Sequence, residues 1–169
     1  MQSLDWLRVF QNLELLWIYG ADKLNSLDGV QYCKSLKSLT VWPSFAASVT
    51  IVSLSHVAVL KDLEELIFAG KTRDGSLDHL ASNLHLRDVF FSNNYTWNEI
   101  ARFEAGHPKA NFPWKGGVIY NANPTVLKCK KCETAQAMLS GKGLKLSCPQ
   151  CDHAYIQKHV DRYQKIAVG

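Results

Sequence analysis

Apolar positions along the first half of the chain recur in a fixed phrase. Leu13, Leu16 and Ile18 form an L-x-x-L-x-I pattern, which returns as Leu36, Leu39, Val41, as Leu63, Leu66, Phe68, and as Leu86, Val89, Phe91. A second phrase, Ser-Leu-(Asp/Ser), runs ten residues upstream of each, starting at Ser3, Ser26, Ser53 and Ser76. Both phrases step by 23, 27 and 23 residues. Two phrases locked in phase over four copies mark an internal repeat.

Each phrase predicts one element. In a strand successive side chains alternate between faces. The last two apolar positions of L-x-x-L-x-L, two residues apart, therefore point to one side, into the interior. The upstream sets are Leu4, Leu7, Phe10; Leu27, Val30, Cys33; Leu54, Val57, Leu60; and Leu77, Leu80, Leu84. Their spacing of three to four predicts a helical turn lining an outer wall, with the Ser and Asp at its start as N-caps. One such unit cannot bury both of its faces; stacked units share a core.

Over residues 3–94 this pattern resembles the leucine-rich repeat family, and the 23-residue period resembles its internalin-type and short cytoplasmic classes. The resemblance implies an α/β solenoid: a right-handed arc of about four repeats with a parallel sheet on the concave face. It also implies a role in protein recognition. The chain departs from the family in two ways. The usual Asn after the strand occurs only at Asn94, with Ala21, Ser44 and Lys71 at the equivalent places. About four extra residues follow the second strand, around Phe45 to Thr50.

The residues between the buried ones are expected on the concave surface. Trp17, Thr40, Ile67 and Phe90 fall in one row, and Tyr19 and Trp42 begin the next. With Leu15 these are the candidate partner-binding residues, because exposed aromatic clusters are typical of binding hot spots. The alternative is that the chain's own C-terminal part covers them. The strand at 13–19 is expected as an open edge. It would be covered by its own first segment, by another copy in a homo-oligomer, or by a segment of a longer parent protein. Cys33 is read as a core residue, and His56 and His79 as a solvated pair.

Thr96-Trp-Asn-Glu99 reads as a capping box opening a helix. Ile100 and Phe103 follow at helical spacing, and Gly106 and Pro108 stop it. Its expected place is as a lid on the last repeat. Residues 112–117 read as a loop, Val118–Tyr120 as a short strand and 121–124 as a turn, with Trp114 buried at a junction.

The strongest chemical signal is Cys129-x2-Cys132-x15-Cys148-x2-Cys151. Each C-x2-C turn presents two thiolates, and the spacing suits tetrahedral Zn2+. The segment resembles a zinc ribbon, its strands turned by Ser140-Gly-Lys-Gly143. Four Cys ligands leave no vacant position, so one structural zinc per chain is expected. Disulfides are the alternative, disfavoured in a reducing compartment, and His153 is a minor alternative ligand. Ile156, Val160, Tyr163 and Ile166 or Ala167 predict an amphipathic helix after the second knuckle, packing on the ribbon or on the repeats.

The organisation expected is therefore repeats over 1–95, a capping helix and linker over 96–124, and the ribbon with its helix over 125–169. Charge supports the division. Residues 1–124 carry 11 Lys/Arg and 12 Asp/Glu, whereas residues 125–169 carry 8 and 3. The basic segment opens a second functional reading, nucleic-acid binding through Lys128, Lys130, Lys131, Lys142 and Lys145. No apolar run reaches membrane-spanning length and no secretory leader is visible, so a cytoplasmic location is the default. There is no nucleophile elbow and no phosphate loop. Gly141-Lys-Gly143 suits a hairpin turn, so the chain is read as non-catalytic.

Overall fold

The computed structural model describes residues 4–44, 48–123, 125–143 and 145–169. Each strand phrase forms a strand: β1 (Leu15–Tyr19), β2 (Ser38–Trp42), β4 (Glu65–Phe68) and β6 (Asp88–Phe91). They build one parallel sheet in the order β1-β2-β4-β6, an α/β repeat fold with one strand of this sheet per repeat. The register places Leu16, Leu39, Leu66 and Val89 in one row and Ile18, Val41, Phe68 and Phe91 in another. Every one of these side chains is buried.

The upstream phrases form short 3-10 turns at Asp5–Val9, Val30–Tyr32, Ser55–Val57 and Asp78–Ser82. A 3-10 turn brings residues i and i+3 into line, which corrects the last outer-wall set. The third core position of the fourth repeat is Asn83, fully buried, and Leu84 is 74% exposed. Asn83 Nδ2 donates to Val57 O (3.1 Å) and Leu60 O (2.7 Å) of the preceding repeat. Cys33, at the matching position two repeats earlier, faces Leu7 O at 3.7 Å. Phe10, expected inside, is 48% exposed. The serines are not the N-caps expected: the cap positions are Leu4, Gly29, Leu54 and Leu77, none with a side-chain cap hydrogen bond. Ser26, Ser53 and Ser76 accept the backbone N–H two residues on, at 3.0–3.2 Å, while Ser3 lies outside the described residues.

Of the extra residues near Phe45, 45–47 lie outside the described set. Val49–Ile51 forms β3, which pairs in parallel with β5 (Gly70–Thr72) as a second small sheet. The bends are irregular: Ser44 N donates to Asp22 Oδ1 in one, and Asn94 Nδ2 to Gly70 O in another.

The period does not stop at residue 94. Ile100 and Phe103 stand 23 residues after Leu77 and Leu80, and Phe112 and Trp114 stand 23 after Val89 and Phe91. All four are buried. Helix α1 (Trp97–Gly106) takes the place of the 3-10 turn. Asn111 bridges Asp88 in parallel, with Val89 N donating to Asn111 O (2.8 Å) and Asn111 N to Arg87 O (2.6 Å). Trp114 Nε1 donates to Phe91 O at 3.2 Å. The segment expected as lid and loop is thus a modified fifth repeat that also closes the apolar core. The capping box is half made. Thr96 Oγ1 accepts Glu99 N (3.3 Å), but the Glu99 carboxylate reaches the preceding repeat, accepting from Leu77 N (2.9 Å) and Ser76 Oγ.

The cysteine module contains an antiparallel sheet of β7 (Val118–Ile119), β8 (Ala137–Leu139) and β9 (Lys145–Ser147). Helix α2 (His153–Ala167) joins the two parts, doing both things expected of it. Ile156 and Val160 pack on Ala137 and Leu139, while Tyr163, Ile166 and Ala167 pack on the core of the repeats. Tyr163 OH donates to Glu104 Oε2 at 2.8 Å. Asn93, just past β6, holds the β8–β9 hairpin: its Nδ2 donates to Leu139 O and Gly143 O, and its Oδ1 accepts Gly141 N.

Candidate metal centre and exposed sheet face

The two C-x2-C turns lie side by side. Sγ of Cys132 is 3.4 Å from that of Cys148 and 3.6 Å from that of Cys151. Sγ of Cys129 is 3.9 Å from Cys151, and all four sulfurs lie within 4.8 Å of one another. A tetrahedral ion with bonds of ~2.3 Å puts its sulfurs ~3.8 Å apart. A disulfide needs ~2.05 Å. The donor set fits a metal ion and does not fit paired disulfides. Among the described residues it is the one cluster of at least three His, Cys, Asp or Glu that can share an ion, and His153 is not part of it.

Local hydrogen bonds prepare the sulfurs for negative charge. Lys131 N donates to Cys129 Sγ at 3.5 Å and Cys151 N to Cys148 Sγ at 3.4 Å. The Thr134 hydroxyl and backbone N–H beside Cys132 bring its thiol down to about 6. The neighbouring sulfurs of Cys132 and Cys148 push Cys151 up to about 12. Four thiols this close cannot all ionise without a cation among them, and a bound cation removes that conflict. Among the described residues the cluster offers four sulfurs and no further His, Asp or Glu ligand.

On the repeats, alternation brings a second set of residues to the outer face of the sheet. The rows are Leu15, Ser38, Glu65, Asp88, then Trp17, Thr40, Ile67, Phe90, then Tyr19 and Trp42. Leu15, Trp17, Tyr19 and Trp42 are exposed, Trp17 at 59% and Tyr19 at 66%. Among the described residues, no C-terminal segment covers them. Ile67 and Phe90 are half-buried. Thr40, expected among the exposed contacts, is buried at 4%. Its short side chain stands in register between Trp17 and Ile67, two residues from Trp42, and these larger groups take its access to water. Trp42 stacks on Phe90 with centroids 5.6 Å apart. Beside the stack a depression of about 310 Å³ is lined by Glu65, Ile67, Asp88, Phe90, Phe112 and Pro113, with no cation among its lining residues. Sequence reasoning named neither acid nor Pro113 as contacts. Pro113 lies one 23-residue period after Phe90, the signal that would have found it.

The remaining candidates separate. Lys128, Lys130 and Lys131 are exposed around the first knuckle. Lys142 and Lys145 stand at the far end of the β8–β9 hairpin, beside Trp97 of α1. His79 pairs with Asp74 at 2.9 Å. No helix among the described residues is long and apolar enough to cross a membrane.

No protein-family model matches the chain, and no curated protein matches it. Among solved structures it is similar to an internalin (inlF) from Listeria monocytogenes, with a TM-score of 0.48 and 15% identity over 63% of this chain. The chain spans about a third of that protein, 35% of its length. The repeat fold rests on the chain's own period and on the strand register that follows it.

Proposed function

We propose that this chain is a non-catalytic protein-interaction module. In this reading its repeats form the right-handed arc of a leucine-rich repeat solenoid, and the sheet bearing Trp17, Tyr19, Trp42 and Phe90 is the concave, partner-binding face. The observation that carries the reading is the run of exposed rings across neighbouring strands, next to a depression edged by Glu65 and Asp88. Large exposed aromatics supply most of the energy at protein interfaces, and the two carboxylates favour a partner presenting Lys or Arg beside apolar side chains.

The four-cysteine centre holds Zn2+ in this reading, one per chain, in a zinc ribbon. Sulfur-only ligation selects a soft divalent ion, and four protein ligands leave no place for a substrate. The zinc stabilises a module whose own apolar core is small. The thiolates require a reducing compartment, consistent with a cytoplasmic protein.

The test has two arms. Native mass spectrometry before and after a chelator reads the metal. One zinc mass per chain, lost on chelation, supports the centre; a metal-free chain with intact fold refutes it. The same spectrum reports whether a second copy pairs along β1. For the face, chain and a Trp17→Ala/Trp42→Ala variant are compared in capture experiments, and each captured protein is titrated in purified form. A partner that binds the parent and is weakened at least ~100-fold by the variant, from two hot-spot rings, supports the reading. Partners bound equally by both chains refute it.

A further inference from the structure

At the junction of the two parts, cationic side chains gather around Trp97. Two adjoining clefts share Trp97 and Lys145 as walls. One, of about 290 Å³, runs along the first turn of α1 and is edged by Lys142. The other, of about 210 Å³, runs along α2 and is edged by Tyr155, Lys158 and Arg162. Neither cleft has a carboxylate among its lining residues. Among the described residues, every ion pair lies elsewhere and uses none of Lys142, Lys145, Lys158 or Arg162. Nearby acids are engaged otherwise. Asp161 accepts from Gln157, Glu104 from Tyr163 and Gly116, and Glu99 from Leu77 and Ser76.

This concentration of unpaired positive charge is felt by the neighbouring group. His159 is held below its ordinary value, first by burial and then by the charges of Lys145 and Arg162. The first turn of α1 adds to the field, because N–H groups at a helix start lack intrahelical acceptors and carry the positive end of the dipole. Gly141, with φ of +115°, turns the hairpin beside that turn, in van der Waals reach of Trp97. Two aromatic surfaces complete the cleft. Tyr155 is 56% exposed, and Trp97 is half-buried, edge-on to His159 at 6.2 Å.

We propose that this junction cleft binds single-stranded nucleic acid, with phosphates on Lys142, Lys145, Lys158 and Arg162 and a base stacked against Tyr155 or Trp97. Cations that track a backbone, interleaved with aromatic platforms, are the chemistry single strands require. A duplex keeps its base faces inside its own stack and cannot use the rings. The inference is independent of the partner-binding face. It also divides the five lysines that the sequence offered for nucleic acid: Lys142 and Lys145 contact the strand, and Lys128, Lys130 and Lys131 at the knuckle do not.

The experiment is fluorescence anisotropy of a labelled short oligothymidylate or oligouridylate titrated with the full chain. Binding is expected to weaken roughly fiftyfold between about 50 and 200 mM salt, the slope of four phosphate contacts on a single strand. Lys145→Glu/Arg162→Glu should weaken it at least about tenfold, and Tyr155→Ala about fivefold or more. Lys130→Glu/Lys131→Glu should change it less than about threefold, and a duplex should bind about tenfold more weakly. Tyr155 is exposed, so its variant stays folded, which circular dichroism checks. The proposal is overturned by absence of binding at low salt, or by equal losses in the knuckle and junction variants. It is also overturned if tripolyphosphate competes as well as the oligonucleotide while Tyr155→Ala has no effect, which would leave a simple anion site.

Discussion

Trp42 on β2 and Phe90 on β6 stack with centroids 5.6 Å apart and planes 26° from parallel, across the strand between them. Strands two places apart are separated by ~9.6 Å, so both rings lean inward over β4. Ala69, just past β4 and in register with Trp42, leaves room for them. The stack therefore ties non-neighbouring repeats on the exposed face. A double-mutant cycle of Trp42→Ala and Phe90→Ala, read by urea unfolding, should give a coupling of about 0.5–1.5 kcal/mol. Additive losses would mean that the rings do not support one another in solution.

Asn83 carries a second prediction. Its amide is fully buried and donates to two carbonyls of the preceding repeat. Asn83→Leu, which restores the apolar pattern of the other repeats, should destabilise by about 2 kcal/mol, because two inter-repeat hydrogen bonds of about 1 kcal/mol each are lost, while Val57 O and Leu60 O keep Leu60 N and Leu63 N as backbone donors. Cys33→Ala removes only a weak thiol contact at 3.7 Å and a small volume, so about 1–2 kcal/mol is expected. The order of the two midpoints is the readout. An Asn83→Leu chain more stable than the parent would show that packing outweighs the inter-repeat hydrogen bonds.

Much of this was legible in the chain, and the failures have identifiable causes. The strand rows followed from period-two alternation, and the cysteine cluster from spacing alone. Leu84 was misplaced because the outer wall follows a three-residue period, not the 3.6 of an α-helix, and because an Asn occupies a core position here by donating its Nδ2 to two backbone carbonyls, although its Oδ1 finds no partner. The fifth repeat was hidden by substitution: Phe112 and Trp114 replace aliphatic residues, and an α-helix replaces the 3-10 turn. Thr40 was read as exposed because alternation gives the face of a residue, not the size of its neighbours. The grouping of Lys145, Arg162 and Trp97 depends on how α2 docks against α1, which local pattern does not encode.

The half-buried imidazole of His159 sets a pH dependence. Burial, followed by Lys145 and Arg162, lowers its folded-state pKa, so the unfolded chain binds the proton more readily. Stability then falls as pH drops through the unfolded value near ~6.5 and levels off below the folded one. Chemical denaturation at steps between about pH 7.5 and 5 should show this decline. His159→Gln should flatten it while the carboxylate-driven loss at lower pH persists. An unchanged slope in the variant would assign the decline to other groups.

Metal removal should act locally first. The apolar core of the cysteine module is Ala137, Leu139 and Ile156, with Val118 and Val160 beside it. A core this small does not hold a sheet without the crosslink a metal provides. A chelator should therefore expose Cys129, Cys132, Cys148 and Cys151 to a thiol reagent while the repeats stay folded. Cys33, fully buried, should react only on global unfolding. Simultaneous reaction of all five thiols would make the two parts one cooperative unit.

Gly116 and Gly117 separate two effects that usually come together. Both have left-handed backbones, with φ of +74° and +83°. A Cβ on Gly116 meets nothing within 4 Å, whereas one on Gly117 would stand 2.7–2.8 Å from the ring of Tyr163. Gly116→Ala should therefore cost only backbone strain, about 1 kcal/mol. Gly117→Ala adds a collision with a fully buried ring that is hydrogen-bonded to Glu104, and should cost about 2–4 kcal/mol. The excess must come from the ring, so combining Gly117→Ala with Tyr163→Ala should destabilise less than the two losses summed. Strict additivity, or equal losses at the two glycines, would mean that α2 does not pack on this turn as described. The docking of the cysteine module on the repeats would then have to be redrawn.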